Sequence, residues 1–223
     1  MKKIILMMIA MTISFASFAQ NKDVTTFLGI PVDGTVSSMK QKLVSKGFVP
    51  KKVGTYEFME GEFNGTDVHV HIGTNNNKVY RIMLADKNTV DEAQIKIRFN
   101  NLVKQFENNK RYHAFGDYSL SDKEDISYEM TVHNKIYAAY YLQDSVYENI
   151  GAEIQTAMEE KYSDEELKNP SETVKNDRKD IINKIVNYHF MKQVWFSIER
   201  YYGEYYICMY YDNKYNQANG EDL

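Results

Sequence analysis

Two spacings of apolar residues alternate along this chain, one near 3.6 and one near 2, and they divide it into helices and antiparallel hairpins. A short strand is expected over 26–32. Asp33-Gly34 then turns the chain, and Thr35 stands at an N-cap position ahead of Val36, Met39, Leu43 and Val44 on one helical stripe. Gly47 fits the left-handed position after that helix, so that Phe48 would fold back onto Leu43 as a Schellman motif requires. Strands over 55–63 and 66–72 flank Asn64-Gly65, a pair that tolerates positive φ and marks a two-residue hairpin. Thr74-Asn75-Asn76-Asn77 turns the chain into a third strand over 78–84. Thr89 and Glu92 have capping-box spacing for a helix whose buried face is Ile95, Phe99, Leu102 and Phe106.

The second half repeats the pattern. A strand is expected over 111–115. A hairpin is expected from 126–132 and 136–142, turning near His133-Asn134. Ser145 and Glu148 would cap a helix carrying Val146, Ile150, Ile154 and Met158. Asn169-Pro170 would open another, with Asn169 as N-cap, Glu172 at N3 and Val174, Ile181, Ile185 and Tyr188 facing inward. The chain closes on strands over 193–201 and 204–211 around a Tyr202-Gly203 turn. Hairpins beside helices, without alternating parallel strands, predict an α+β fold: antiparallel hairpins and sheets with several helices packed on one face. Residues 20–223 read as one domain, with two similar helix-plus-sheet halves, about 24–110 and 111–223, as an option.

The first 19 residues change the accounting. Lys2-Lys3 precede an apolar run from Ile4 to Phe15 that is too short to span a bilayer, and Ser17-Phe18-Ala19 places small residues before a cleavage point at Gln20. Residues 1–19 are therefore expected to be a signal peptide, with export to the periplasm or beyond. No Cys at the cleavage point offers a lipid anchor, and no later segment reads as a membrane span. The full chain of 223 residues has net charge −4, and without the leader 25 basic residues face 31 acidic ones, a net charge of −6. That balance excludes a phosphate-backbone partner such as nucleic acid. Lys51-Lys52 and Lys110-Arg111 read as solvated turn doublets. The one cysteine, Cys208, excludes an internal disulfide and any multi-Cys zinc site, and reads as a small apolar strand residue.

The segment Phe27-Leu28-Gly29-Ile30-Pro31-Val32-Asp33-Gly34-Thr35, the following short helix with Lys46-Gly47-Phe48, and the ending Tyr211-Asp212-Asn213, Asn216 and Gly220-Glu221-Asp222-Leu223 carry a resemblance. The chain resembles uncharacterised small exported α+β proteins of Gram-negative gut bacteria. The resemblance covers both ends of the mature chain. It implies export and fold class, and carries no catalytic or ligand residue across. The helix-then-sheet order is also similar to inhibitor proteins built from repeated helix-plus-sheet units, a likeness of architecture alone.

Two constellations carry candidate chemistry. In the Asn64-Gly65 hairpin, a two-residue loop pairs Glu60 with His69 and puts His71 on the same face, a ligand set suited to a divalent metal, zinc or non-haem iron. The same three residues are also an ordinary wet strand face, and a register slip of one residue would part them. In the last hairpin, a Tyr202-Gly203 turn pairs Trp195 with Tyr210, Ser197 with Cys208 and Glu199 with Tyr206. Val194, Phe196, Ile198, Ile207 and Met209 then form the core face, while Trp195, Tyr201, Tyr206 and Tyr210 share the other with Glu199 and Glu204. That aromatic face is either covered by a helix or built to bind a protein, peptide or glycan. No Gly-x-Ser-x-Gly elbow and no phosphate-cradling glycine loop occurs, so the expectation is a non-catalytic binding protein without cofactor. A glycan-binding module is one alternative, and a metal-dependent hydrolase on His69, His71 and Glu60 is another.

Overall fold

The computed structural model describes residues 23–143 and 150–218. The expected signal peptide, the Ser145/Glu148 cap, Val146 and the last residues Gly220–Leu223 lie outside them. In chain order the elements are β1 (Thr26–Phe27), β2 (Ile30–Pro31), α1 (Val36–Val44), β3 (Val49–Val53), β4 (Tyr56–Phe63), β5 (Thr66–Asn75), β6 (Lys78–Asp86) and α2 (Glu92–Asn108). They continue with β7 (Tyr112–Ala114), α3 (Ile126–Val132), β8 (Ala138–Gln143), α4 (Ile150–Glu159), α5 (Asp164–Lys168), α6 (Glu172–His189), β9 (Gln193–Tyr201) and β10 (Glu204–Asp212). The fold is α+β. One antiparallel sheet of eight strands runs in the order β3-β4-β5-β6-β10-β9-β8-β7, so the two halves of the chain meet where β6 pairs with β10.

Local sequence explains most boundaries. Thr35 accepts a hydrogen bond from Ser38 N–H and caps α1. Phe48 N–H donates to Leu43 O and Gly47 N–H to Val44 O, with Gly47 at φ 95°, which is the Schellman ending that the glycine permits. The hairpins turn on Asn64-Gly65 and Tyr202-Gly203, all four residues at positive φ. Their registers are the expected ones: Phe63 opposite Thr66, Glu60 opposite His69, and Trp195 opposite Tyr210. Gly61 has a packing reason as well, since a Cβ there would lie 2.6 Å from Phe48 Cδ1.

Five local expectations are corrected. The segment 126–132 is the helix α3 and not half of a hairpin. Its alternating Ile126, Tyr128, Met130 and Val132 mimic a strand, yet Asp125 accepts from Tyr128 N–H, and the Glu92 carboxylate, arriving from α2, accepts from Ile126 and Ser127 N–H. With its first three amides satisfied between these two carboxylates, the segment coils and buries Ile126. Glu92 is thereby taken from the expected capping box, and Asp91 caps α2 instead, accepting from Gln94 N–H at 2.8 Å. Ser171, not Asn169, caps α6. Lys51 and Lys52 lie in the edge strand β3 and not in a turn, and the expected strand over 26–32 is the small β1–β2 hairpin.

One cluster of buried side chains extends across the inner face of the sheet, from Phe27, Met39 and Leu43 through Val70, Ile82 and Leu84 to Phe196, Ile198 and Met209. Helix α2 seals it with Ile95, Phe99, Leu102 and Phe106, each contributing about 1.5–3 kcal/mol of burial. Phe196 sits at the centre, 5.1 Å from Phe99 and 5.5 Å from Phe106 between ring centroids. Arg98 on α2 grips Asp86 of β6 with two hydrogen bonds of 2.5 Å, and Asp86 also accepts from Ile207 N–H. That fork ties helix to sheet.

Candidate functional site

Because the strands pair antiparallel and the register shifts only at one bulge in β5–β6, side chains from successive strands line up in rows across the outer face. One row runs Lys51, Phe58, His71, Met83, Tyr210, Trp195, Tyr140, one residue from each strand from β3 to β8, with the Phe58–His71 step made by rings 5.8 Å apart. Its right-hand end is an aromatic stack. Trp195 lies 3.9 Å from Tyr210 at an interplanar angle of 13°, and Tyr140 lies 5.7 Å from Trp195 at 19°. Trp195, Tyr206 and Tyr210 are half-buried, whereas Tyr140 and Tyr201 are exposed.

An ion pair organises the stack. Asp212, at the end of β10 and 1% exposed, accepts from Arg81 Nε at 2.6 Å and Nη2 at 2.8 Å, and from Trp195 Nε1 at 3.1 Å. The hydrogen bond to Asp212 raises the Arg81 guanidinium above its already high ordinary value, so it is charged throughout. Its carbon sits 5.0 Å from the centre of Tyr210, 5.7 Å from Tyr80 and 5.8 Å from Trp195, within reach of cation–π attraction. The β-bulge between Gly73 and Thr74 gives β6 the extra residue beside Arg81, and a Cβ at Gly73 would touch the Tyr80 ring at 3.2 Å. Burial pushes the phenols of Tyr210 and Tyr206 up, so both remain neutral donors.

The stack decides what the surface offers. Tyr140 and Tyr210 occupy the two faces of Trp195, one from each neighbouring strand. Tyr210 covers one face of Trp195 closely at 3.9 Å, while Tyr140, offset at 5.7 Å, covers the other in part. Tyr140 is the most open ring of the three, at 37% exposure. Tyr206 and Tyr201 lie further along the same face toward the hairpin tip, where Tyr201 and the 92% exposed Tyr202 form an edge-to-face pair at 4.6 Å. The four aromatic residues singled out in the sequence therefore form two groups: Trp195 and Tyr210 in the stack, and Tyr201 near the tip with Tyr206 between. Between stack and tip runs a row of small residues, Ala85, Cys208, Ser197 and Ala138. Cys208 is buried there and its thiol is pushed up to about 11, which leaves it protonated at neutral pH.

The chain matches no family model, no curated protein and no solved structure. What the site does has to be read from its own chemistry.

The His-x-His face is arranged differently from a metal site. His69 Nε2 and Glu60 Oε1 are 3.5 Å apart, but Glu60 is held by Lys87 at 2.5 Å and by Lys51 at 3.6 Å, and Lys87 lowers its pKa. Both imidazoles lean on Phe58, at 4.7 Å for His69 and 5.8 Å for His71. Burial, and secondarily the neighbouring His69, pushes His71 below the ordinary histidine value. Among the described residues no group of three or more His, Cys, Asp or Glu side chains is placed to hold a metal. Among them, too, no helix is long and apolar enough to cross a membrane.

Tyr140, Arg81 and Asp212 are site residues that sequence reasoning missed. Tyr140 enters only through the β8–β9 pairing, which no short turn announces. Asp212 is the last residue of β10, and its partner Arg81 is 131 positions away.

Proposed function

We propose that this is an exported, non-catalytic binding protein whose outer sheet face docks a protein or peptide partner. The observation that carries the reading is the Tyr140–Trp195–Tyr210 stack, held rigid by Asp212 and Arg81 while its edges remain open to solvent. Aromatic anchors that are already ordered lose little side-chain entropy on binding, which is why such rings dominate protein interfaces. The close stacking of Tyr210 on one face of Trp195 leaves less open ring for a glycan at this position. Export rests on the basic, apolar and small-residue order of the first 19 residues and on the resemblance at both ends of the chain.

Immobilised mature protein, residues 20–223, should capture its partner from the envelope fraction of the producing cells. The double substitution Tyr140→Ala/Tyr201→Ala should weaken capture at least tenfold, about 1.4 kcal/mol or more, while the protein stays folded and its melting temperature falls by only several degrees. Undiminished capture by the folded double variant would contradict the proposal. Trp195 is the one tryptophan of the chain, so its fluorescence reports the site directly. A glycan panel should leave that signal unchanged.

A further inference from the structure

We infer that the open edge of β3, with the groove between β3 and α1, receives an extended acidic peptide segment that adds to the sheet as a ninth strand. Strand β3 ends the sheet order, and all five of its residues are exposed, Val49 at 53% and Val53 at 66%. On its inner side lies a groove of about 820 Å³ whose apolar floor is Val36, Val44 and Pro50 and whose polar rim includes Lys40 and Gln41. A strand laid beside β3 would send alternate side chains into this groove and the others over the outer face beside Lys51.

Charge selects the occupant. From Gly34 to Tyr56 the chain carries five lysines, Lys40, Lys42, Lys46, Lys51 and Lys52, and no carboxylate, in a protein of net charge −4. Glu57 answers both Lys40 and Lys52, and Glu60, the partner of Lys51, is already held by Lys87. The edge is therefore electropositive. Lysine on an edge strand also keeps copies of the same chain from pairing, because two such edges repel. That repulsion disfavours a second copy but admits a strand of opposite charge, whose main chain pairs with the edge except at the N–H that Pro50 lacks, while its carboxylates meet the lysines. The surface is separate from the aromatic stack, and the inference stands without the function proposed above.

The test is a titration of ¹⁵N-labelled mature protein with an eight-residue peptide alternating Glu and Val, against one alternating Lys and Val, one carrying a central Pro, and a single-stranded oligonucleotide. The acidic peptide should shift resonances confined to residues 36–53 and slow hydrogen exchange at β3 amides. It should bind at least about tenfold tighter than the basic peptide and weaken as salt shortens the screening length. Lys51→Glu/Lys52→Glu should reverse that preference. Shifts centred on Trp195 and Tyr210 or absent, equal binding of both charges, an undiminished Pro peptide, or displacement by the oligonucleotide would each overturn the inference.

Discussion

The two faces of the sheet use the same device for different ends. On the inner face Arg98 and Asp86 form a two-pronged ion pair that fastens α2 over the core, and the surrounding rings are sealed. On the outer face Arg81 and Asp212 form an equivalent pair, but what they hold is Trp195 and, through it, a stack with open edges. A planar guanidinium suits both tasks because it fixes direction as well as charge. The difference lies in what is placed over each face. An antiparallel sheet commonly buries one face and leaves the other to solvent, and here the solvated face carries the stack.

Substitutions should separate the two faces by size of effect. Phe196→Ala removes a ring packed against Phe99, Phe106 and Tyr141 and should cost about 3–5 kcal/mol in urea unfolding. Arg81→Met strands the Asp212 carboxylate, whose side chain is 2% exposed, and should cost about 3 kcal/mol. It should also shift Trp195 emission, whereas Arg98→Met should destabilise to a similar degree and leave that emission where it is. Equal spectral changes in both variants would erase the distinction between the faces. Tyr140→Ala should cost about 0.5–1.5 kcal/mol, the worth of one aromatic pair, because the ring is already 37% exposed. Its larger consequence should be lost capture of the partner.

The smallest effect is electrostatic. His71 titrates below its ordinary value of 6.5 in the folded protein because burial disfavours the cation. The unfolded chain then binds the proton first on acidification, so this contribution to stability is present above pH 6.5 and is lost as pH falls toward the folded value. Melting curves between pH 8 and 5 should show His71→Gln losing less stability on acidification than the unchanged protein. An identical slope would remove His71 from the account.

What was legible in the sequence and what was not divides along chain distance. The β9–β10 and β4–β5 registers follow from two-residue turns whose own residues accept positive φ, so Trp195 opposite Tyr210 and Glu60 opposite His69 could be placed without any other information. The end of α1 is local too, fixed by Gly47 and Phe48. Helix α3 was misread because the information that makes it a helix is partly distant: Glu92, 34 positions upstream, supplies its second cap. The period-2 run of Ile126, Tyr128, Met130 and Val132 favoured the wrong element, although 126 and 130 face inward in the helix while 128 and 132 are exposed. The aromatic stack was half legible for the same reason. Its Trp195–Tyr210 step belongs to a hairpin, while Tyr140 and Arg81 arrive through pairings across distant segments.

The central claim, that the outer stack is a docking surface, is tested most directly by photo-crosslinking. A benzophenone amino acid placed at position 140, beside Trp195, should trap a discrete protein in the envelope of the producing cells. The same group at position 97, on the exposed side of α2, should trap none. No adduct from position 140, or the same adducts from both positions, would contradict the account.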